Sequence, residues 1–295
     1  MPPLVSIVTP SYNQARFLEQ TICSVLEQDY AEIEYLVADG GSTDGSRQII
    51  EKFSPRLTWW VSEPDQGQGD AIRKGFSHAR GSYLAWINSD DYYLNGMISE
   101  AVQALEANPQ WGFVYADVLA VDEHDRRINL LRYEPYTLAD LMQFKIIGQP
   151  AVVMRRSIYE QAGGISADYH YMLDHHLWLR MAALAPFGYL PRTLAAARFH
   201  QAAKNVAMSA AFSREASQIT EWMEREEPFK TRLTEIRPLV GGGAYRFGAR
   251  YLSEGRQYRE ALQMYAKAWQ QNPAVVLKDW KRVAVTLLGR LGLWK

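Results

Sequence analysis

Apolar and polar positions follow two alternating periods over the first ninety residues. Short apolar runs rich in β-branched residues are typical of buried strands, and segments with apolar residues at helical spacing separate them. The predicted strands are residues 4–9, 33–38, 57–61 and 83–87, and the predicted helices are residues 17–27, 44–53 and 70–79. Strands that alternate with helices form a mostly parallel sheet with right-handed crossovers. We therefore predict an α/β fold.

Polar clusters follow all four predicted strands. They are Tyr12-Asn13 and residues 39–44, 63–65 and 88–91. Ligands of open parallel sheets bind at the carboxyl ends of the strands, so we expect these clusters to form one site. The glycine-rich phosphate motifs of dinucleotide-binding and P-loop proteins are missing from the sequence. If the sheet binds a nucleotide, it does so through residues other than these motifs.

The alternation loosens from residue 97 onward. Helices are predicted at residues 97–107 and around residues 174–180, and strands at residues 113–121, 151–155 and 194–200. Beyond about residue 205 no strand pattern remains, and we predict only helices.

Composition and charge narrow the possible functions. The 295 residues are 47% hydrophobic and 22% charged, which excludes a disordered or fibrous protein. Lys and Arg total 32 against 33 Asp and Glu, so the charge balance gives no general attraction to nucleic acid. The single cysteine, Cys23, cannot form an internal disulfide. The first fifteen residues have the pattern of neither a signal peptide nor a membrane span, and we expect a cytoplasmic protein.

Two adjacent carboxylates, Asp90 and Asp91, directly follow the fourth predicted strand. Neighbouring carboxylates repel each other unless a cation or hydrogen bonds compensate their charge. A divalent cation shared with a substrate diphosphate needs only one or two protein carboxylates. Aspartate is also a favoured helix cap. The residues alone leave both interpretations open.

The ordered series of motifs resembles the inverting glycosyltransferases of family 2. The matching segments are residues 5–13 (VSIVTPSYN), 39–46 (DGGSTDGS), 63–67 (EPDQG), 88–91 (NSDD) and 174–180 (DHHLWLR). One such motif would be weak, but the series keeps its order over roughly residues 4–200. Two departures stand out: Asn88 occupies a position that is often Asp in the family, and Leu173 one that is often Glu.

The resemblance implies a GT-A fold over residues 1–204, with a nucleotide-sugar half at about 1–92 and an acceptor half at about 93–204, followed by a helical region at 205–295. It also implies a nucleotide-diphosphate donor, with a UDP-sugar favoured, and Mn²⁺ or Mg²⁺ as cofactor. The acceptor would be a glycan or a lipid-linked sugar in polysaccharide biosynthesis of the cell envelope.

Site roles carry over from the family onto matching residues. Asp174 matches the catalytic base that takes the proton of the acceptor hydroxyl. Asp91, Asp90 and His200 match metal-binding positions, and Lys204 is placed to neutralise the diphosphate. The residues implied in nucleotide binding are Pro10, Tyr12, Asp39, Asp65, Arg73 and Asp90. Asp39 would accept a hydrogen bond from an imide N–H of the base.

The adjacent histidines His175 and His176 replace residues that are commonly Tyr and Asp in the family. We expect them on the acceptor side or at the surface rather than as ligands. Trp178 and Leu179 are expected in the core.

The carboxyl-terminal region carries a different pattern. Residues 242–273 resemble one tetratricopeptide-like helical hairpin, which cannot bury its own face alone. Residues 278–295 form a basic amphipathic segment with Trp280 and Trp294 near its ends. This segment either lies on an anionic membrane surface, which would make the protein peripheral, or docks on the core by its apolar face. Both interpretations remain open.

Two other functions compete with glycosyl transfer. A sugar-phosphate nucleotidyltransferase would keep the nucleotide site, but it normally needs a basic glycine-rich loop after the first strand, where residues 11–14 (SYNQ) stand. A catalytically inactive scaffold would bind a partner through the helical tail. It predicts that loss of the Asp174 or Asp91 carboxylate leaves function intact.

Overall fold

The structure of the protein, a computed structural model, describes residues 2–200 and 208–293. Within these residues the strands are β1 (Val5–Ser11), β2 (Ile33–Asp39), β3 (Trp59–Ser62), β4 (Tyr83–Trp86), β5 (Tyr92–Tyr93), β6 (Phe113–Asp122), β7 (Arg127–Leu131), β8 (Val152–Arg155) and β9 (Gly188–Phe199). Every one of these strands belongs to a single sheet.

Helices flank the sheet strands in sequence and then make up the rest of the chain. Over the described ranges they are α1 (Ala15–Leu26), α2 (Ser46–Phe53), α3 (Gln68–His78), α4 (Met97–Ala107), α5 (Leu138–Met142), α6 (Arg156–Gln161), α7 (Leu173–Leu184), α8 (Ser209–Met223), α9 (Phe229–Glu254), α10 (Tyr258–Gln271), α11 (Pro273–Lys278) and α12 (Trp280–Arg290). Short 3-10 turns occupy Ser54–Arg56 and Gln149–Ala151.

The sheet has the strand order β3-β2-β1-β4-β8-β6-β9-β5, with β7 paired to β6. The first four strands in this order are parallel, because β1 pairs in parallel with both β2 and β4, and β2 pairs in parallel with β3. Antiparallel pairing begins where β8 joins β4. The predicted α/β class, with a mixed and mostly parallel sheet, is confirmed. The carboxyl ends of the four parallel strands meet at one edge of the sheet.

Most predicted elements are present, and two differ for a physical reason. β9 begins at Gly188 rather than at residue 194. A register shift against β6 accommodates Pro191 and Arg192 within the strand. These two residues are untypical of strands, so the sequence pattern indicated only the part that follows them. β7 was not predicted. It has only five residues, RINLL, and an alternation this short does not distinguish a strand from a loop.

The chain divides into two compact units. The first comprises Met1–Pro135 and Ile147–Phe199, and contains the sheet; the second comprises Tyr136–Ile146 and His200–Lys295. The predicted boundary at residue 204 falls in residues 201–207, outside the described residues. The short segment 136–146, expected in the acceptor half, groups with the helical unit. Phe144 of this segment is fully buried, with its ring 5.9 Å from that of Phe247.

The second unit contains only helices in its described part. The long helix α9 and the following α10 are joined by residues 255–257 and pack against each other around Ala249, Tyr265 and Ala268. The likeness of this pair to a tetratricopeptide unit stays a prediction. No helix in residues 2–200 and 208–293 has both the length and the apolar character needed to cross a membrane.

Candidate functional site

The ends of β1, β2 and β3 lie side by side in the sheet. Ser11 pairs with Asp39, and Asp39 pairs with Ser62. The Asp39 carboxylate is 2% exposed and accepts three hydrogen bonds, from the Ser42 amide (2.9 Å), the Ser42 hydroxyl (2.5 Å) and the Ser62 hydroxyl (2.7 Å). An ionised carboxylate offers about four lone-pair positions. The local structure therefore fixes the orientation of Asp39 and leaves about one acceptor position for a ligand.

Asp65 lies over the loop that follows β2. A Cβ atom on Gly40 would be 2.9 Å from Asp65 Oδ2, so glycine is required for this close approach. The Asp65 carboxylate also accepts a hydrogen bond from the Gly67 amide at 2.7 Å. The structure thus brings two predicted nucleotide-binding residues, Asp39 and Asp65, to the same sheet edge.

Pro10 and Tyr12 stand at the end of β1 but differ in exposure. Pro10 is buried within the strand, where it pairs with Ala38. Tyr12 follows the strand and is 62% exposed. The ring of Tyr12 is therefore available to a ligand at this edge, whereas Pro10 shapes the strand beneath it.

Hydrogen bonds connect the start of α3 to the loop after β4. Gln68 donates to the Asn88 side-chain oxygen at 2.6 Å, and the Asn88 amide donates to Asp91 Oδ2 at 3.3 Å. From α1, the Thr21 hydroxyl contacts the backbone carbonyls of Ser89 (3.0 Å) and Asp91 (2.6 Å). The loop that carries the two adjacent carboxylates is thus held from both sides.

Asp91 and Asp90 have different surroundings. Asp91 is 6% exposed, and its Oδ1 accepts from the Arg198 amide at 2.8 Å. Burial, and then the charge of Asp90, raise the pKa of Asp91 well above its usual value. Asp90 remains partly exposed. Asp91 is therefore held mainly by protein donors, and Asp90 presents the more accessible carboxylate.

Arg198 at the end of β9 is a residue of this site that the sequence analysis missed. Its side chain is 1% exposed and donates to the Asp90 carbonyl, to Gln20 Oε1 (2.7 Å) and to Asp125 Oδ1 (2.5 Å). Its guanidinium carbon lies 4.5 Å from the centre of the Phe17 ring. A charged residue inside the apolar strand 194–199 was the available signal, because a buried charge must find partners.

The carboxylates of Asp90 and Asp91 are suitable ligands for a hard divalent cation, but they do not complete its coordination sphere. A pair of neighbouring acids with oxygen ligands suits Mg²⁺ or Mn²⁺, which commonly uses one or two carboxylates together with substrate phosphates. In residues 2–200 and 208–293 no group of three or more His, Cys, Asp or Glu side chains is arranged to hold a metal ion. A cation here would need ligands from the substrate or from water.

Asp174 is the second residue of α7, and its surroundings are almost wholly buried. Residues 172, 173 and 175–179 are buried, whereas Asp174 is partly exposed. It accepts from the His175 amide at 2.7 Å, and the positive end of the helix dipole favours its negative charge. A Cβ atom on Gly69 would lie 3.9 Å from the side chain of Leu173. The start of α7 therefore lies against the start of α3, next to Gln68.

The histidines after Asp174 are buried, at 2% exposure for His175 and 4% for His176. Of the two expected positions, the surface is wrong, because α7 is covered on nearly all sides, and a position on the acceptor side stays a prediction. The ring of His176 lies 4.2 Å from that of Tyr169. Trp178 and Leu179 are fully buried, as expected.

Three predicted residues remain: Arg73, His200 and Lys204. Arg73 is paired with Asp70 at 3.2 Å on α3. His200 directly follows β9 and is partly exposed. Lys204 lies outside the described residues. The roles predicted for these three residues stay predictions.

Comparisons with known proteins identify the family of the chain. The family model Glycosyl transferase family 2 matches residues 6–163, which is more than half of the chain. An uncharacterized glycosyltransferase of Mycobacterium tuberculosis is 30% identical over 187 residues, covering 61% of this chain and 69% of the relative. The Bacillus subtilis protein TuaG, a proposed teichuronic acid biosynthesis glycosyltransferase by name, is 32% identical over 167 residues, covering 55% of this chain and 65% of TuaG.

Solved structures share the fold. A mannosyltransferase from Pyrobaculum calidifontis in complex with GDP-Man and Mn²⁺ superposes with a TM-score of 0.65 at 18% identity, covering 98% of this chain and 86% of the other. S. aureus TarS 1-349 in complex with UDP-GlcNAc gives a TM-score of 0.59 at 15% identity, covering 91% and 89%. The sheet with its flanking helices is thus a GT-A fold. The chain belongs to glycosyltransferase family 2.

Proposed function

We propose that this member of glycosyltransferase family 2 transfers a sugar with inversion from a nucleotide-diphosphate donor to an acceptor hydroxyl. Asp174 is the general base of this reaction. One observation carries the proposal: Asp174 is the partly exposed carboxylate of an otherwise buried helix start, and its neighbour Leu173 lies near Gly69 of α3. The buried neighbours fix the position of Asp174, and its partial exposure leaves the carboxylate accessible to an acceptor hydroxyl.

The nucleotide base binds at the ends of β1 and β2. The remaining acceptor position of Asp39 suits an imide N–H, and the exposed ring of Tyr12 suits stacking on the base. Uracil carries both features, and so does thymine, so Asp39 and Tyr12 alone do not distinguish the bases. A UDP-sugar is proposed as the favoured donor. Asp65 and Arg73 contact the rest of the nucleotide. The TarS structure, which holds UDP-GlcNAc, supports this choice by its shared fold.

Asp90 would hold Mn²⁺ or Mg²⁺, because it is the more accessible of the two acids, while Asp91 is bonded to Arg198 and Asn88. His200 is the second candidate ligand. When bound, the cation stabilises the negative charge of the departing diphosphate. The mannosyltransferase solved with GDP-Man and Mn²⁺ supports a divalent ion in this fold. Lys204 is proposed as a further positive charge near the diphosphate.

Asp174 takes the proton from the acceptor hydroxyl as that oxygen attacks the anomeric carbon, opposite the leaving group. A carboxylate positioned in this way contributes typically about 10²–10⁴-fold to the rate. The helix dipole at the start of α7 favours its negative charge, and the buried residues around it fix its position. The acceptor is proposed to be a glycan or a lipid-linked sugar of a surface polysaccharide, which the name of the relative TuaG supports.

Nucleotide binding with and without metal tests this function. We expect calorimetry with UDP, GDP and dTDP to give the tightest binding for UDP, and to give a higher affinity with Mn²⁺ than without it. Asp90→Asn should remove the metal-dependent gain, and Asp29→Asn, at an exposed carboxylate that accepts from Ser99, serves as the matched control.

Three results of this test would be informative in different ways. Metal-independent binding that Asp90→Asn leaves unchanged would contradict the cation role. Preference for GDP would contradict the assignment of a UDP-sugar. Nucleotide binding without any sugar transfer or donor hydrolysis would favour the inactive scaffold.

A further inference from the structure

The last helix, α12, packs by its polar and small residues. Thr286 is fully buried and shares a hydrogen bond with the Ser253 hydroxyl at 2.7 Å. A Cβ atom on Gly289 would lie 2.5 Å from the ring of Tyr258, so this contact requires glycine. Arg282 pairs with Glu254 at 2.6 Å. The inner side of α12 therefore carries a hydroxyl, a glycine and an ion pair, together with the partly buried Val283, which packs against the cluster of Ala249, Tyr265 and Ala268.

The opposite side of α12 is apolar and exposed. Trp280, Leu287 and Leu291 are spaced by seven and four residues, which places them on one face of the helix. Their exposures are 60%, 47% and 69%. Leu277 before the helix and Leu293 after it are 59% and 71% exposed. We call these five residues the apolar stripe. An amphipathic helix normally buries such a stripe against the core, whereas these residues of α12 are exposed.

Positive charge surrounds the stripe. Lys278, Lys281 and Arg290 are exposed and form no ion pair in the part of the chain that the structure describes. The acid of this segment, Asp279, has a side chain only 16% exposed and accepts a hydrogen bond from Tyr265 at 3.0 Å. The surface around the stripe is therefore cationic.

A pocket of about 410 Å³ lies beside Lys281. Its lining includes the cations Arg256, Lys281 and Arg282 and the acid Glu254, and it contains none of the five stripe residues. Arg282 is paired with Glu254, so Arg256 and Lys281 supply the additional positive charge. This charge adds to the cationic character of the last helices.

We propose that the apolar stripe of residues 277–293 lies on an anionic membrane surface, with Lys278, Lys281 and Arg290 at the level of the headgroups. Apolar residues flanked by cations, with tryptophan among them, match the acyl-chain boundary and the negative potential of such a surface. A second copy of the chain is a poorer occupant, because two equally charged surfaces would face each other. The inference goes beyond the proposed transfer reaction and does not depend on it.

Vesicle flotation of the full chain tests this surface. We expect binding to vesicles of phosphatidylcholine and phosphatidylglycerol in equal parts, weak binding to phosphatidylcholine alone, and release at high salt. The double variant Leu287→Ser with Leu291→Ser should lower the partition coefficient by about tenfold or more. The double variant Lys278→Glu with Lys281→Glu should do the same on the anionic vesicles.

Two substitutions outside the stripe serve as matched controls. Ile128→Ser changes an apolar residue of β7 that is 58% exposed, and Lys230→Glu reverses an exposed charge on α9. Both should bind vesicles like the unaltered chain. Donor hydrolysis measured without vesicles should be equal in all of these variants, so failure of the membrane proposal is separable from failure of the transfer reaction.

Three results would overturn the proposal. The unaltered chain might float with neither vesicle, or the stripe variants might bind as well as the controls. Alternatively, sedimentation without lipid could reveal a dimer that the leucine substitutions dissociate, while vesicles bind nothing. That last result would assign the stripe to a second copy of the chain.

Discussion

Helices α7 and α12 differ in which of their residues are buried and which are exposed. In the first turns of α7 every residue from 173 to 179 is buried except Asp174, including two histidines. In α12 only Thr286 is buried, and the apolar residues Trp280 and Leu287 face outward. Each helix thus has residues that break the usual relation between polarity and exposure.

The exceptions mark function more clearly than the regular positions do. In α7 the exposed charge of Asp174 among buried residues favours a chemical role. In α12 the exposed apolar side chains favour contact with an apolar environment. Neither feature follows from hydrophobicity alone, because both helices contain similar residues. The following predictions test whether the two helices really differ in this way.

The largest effect is expected at the exposed acid of α7. Asp174→Asn removes the proton acceptor but keeps the shape of the side chain, so turnover should fall by about 10²–10⁴-fold while nucleotide affinity is retained. Vesicle binding should not change. Single-turnover transfer assays and calorimetry measure these quantities. Glu51→Gln, at an exposed ion pair of α2, is the control. Transfer at the normal rate by Asp174→Asn would exclude it as the base.

The next effect concerns the buried charge at the end of β9. Arg198→Met leaves the Asp90 carbonyl and Asp125 without their donor, and we expect a loss of about 3 kcal/mol in the free energy of unfolding. Arg192→Met is a matched control on the same strand, because Arg192 is 66% exposed and its pair with Glu100 is worth about 1 kcal/mol at most. Urea unfolding compares the two. Equal losses would mean that Arg198 does not hold the Asp90 loop.

The fold was largely predictable from sequence, and the partners of the site residues were not. Short apolar runs and helical patterns located β1 to β4 and α1 to α4, because local burial determines both. The three donors to Asp39 and the bonds of Arg198 come from residues 23 to 178 positions away or from loop geometry, which no local pattern records. The orientation of α12 was left open for the same reason, since its inner contacts lie on α9 and α10.

A smaller effect is expected from the buried imidazole of α7. Burial lowers the pKa of His176 to about 3, so the folded protein keeps it neutral while the unfolded chain protonates it near pH 6.5. Its contribution to stability is complete above about pH 6.5 and is lost as the pH falls toward 3, with a slope of at most about 1.4 kcal/mol per pH unit.

Urea unfolding at several pH values checks this dependence. His176→Gln should lose less stability between pH 7 and pH 5 than the unaltered chain does. His124→Gln, at a histidine that is 58% exposed, should behave like the unaltered chain. Identical slopes in all three proteins would show that His176 is protonated in the folded state.

The smallest effect decides the orientation of α12. Thr286→Val removes the hydrogen bond to Ser253 and should cost about 1 kcal/mol in the free energy of unfolding. Leu287→Ser changes a side chain that is 47% exposed and should stay within about 0.5 kcal/mol. Urea unfolding of the two variants shows which substitution lowers the free energy of unfolding more. If Leu287→Ser costs more than Thr286→Val, α12 packs by its apolar side in solution. The apolar stripe would then be part of a core, and vesicle binding would lose its structural basis. The role of Asp174 would be unaffected, since it depends on α7 alone.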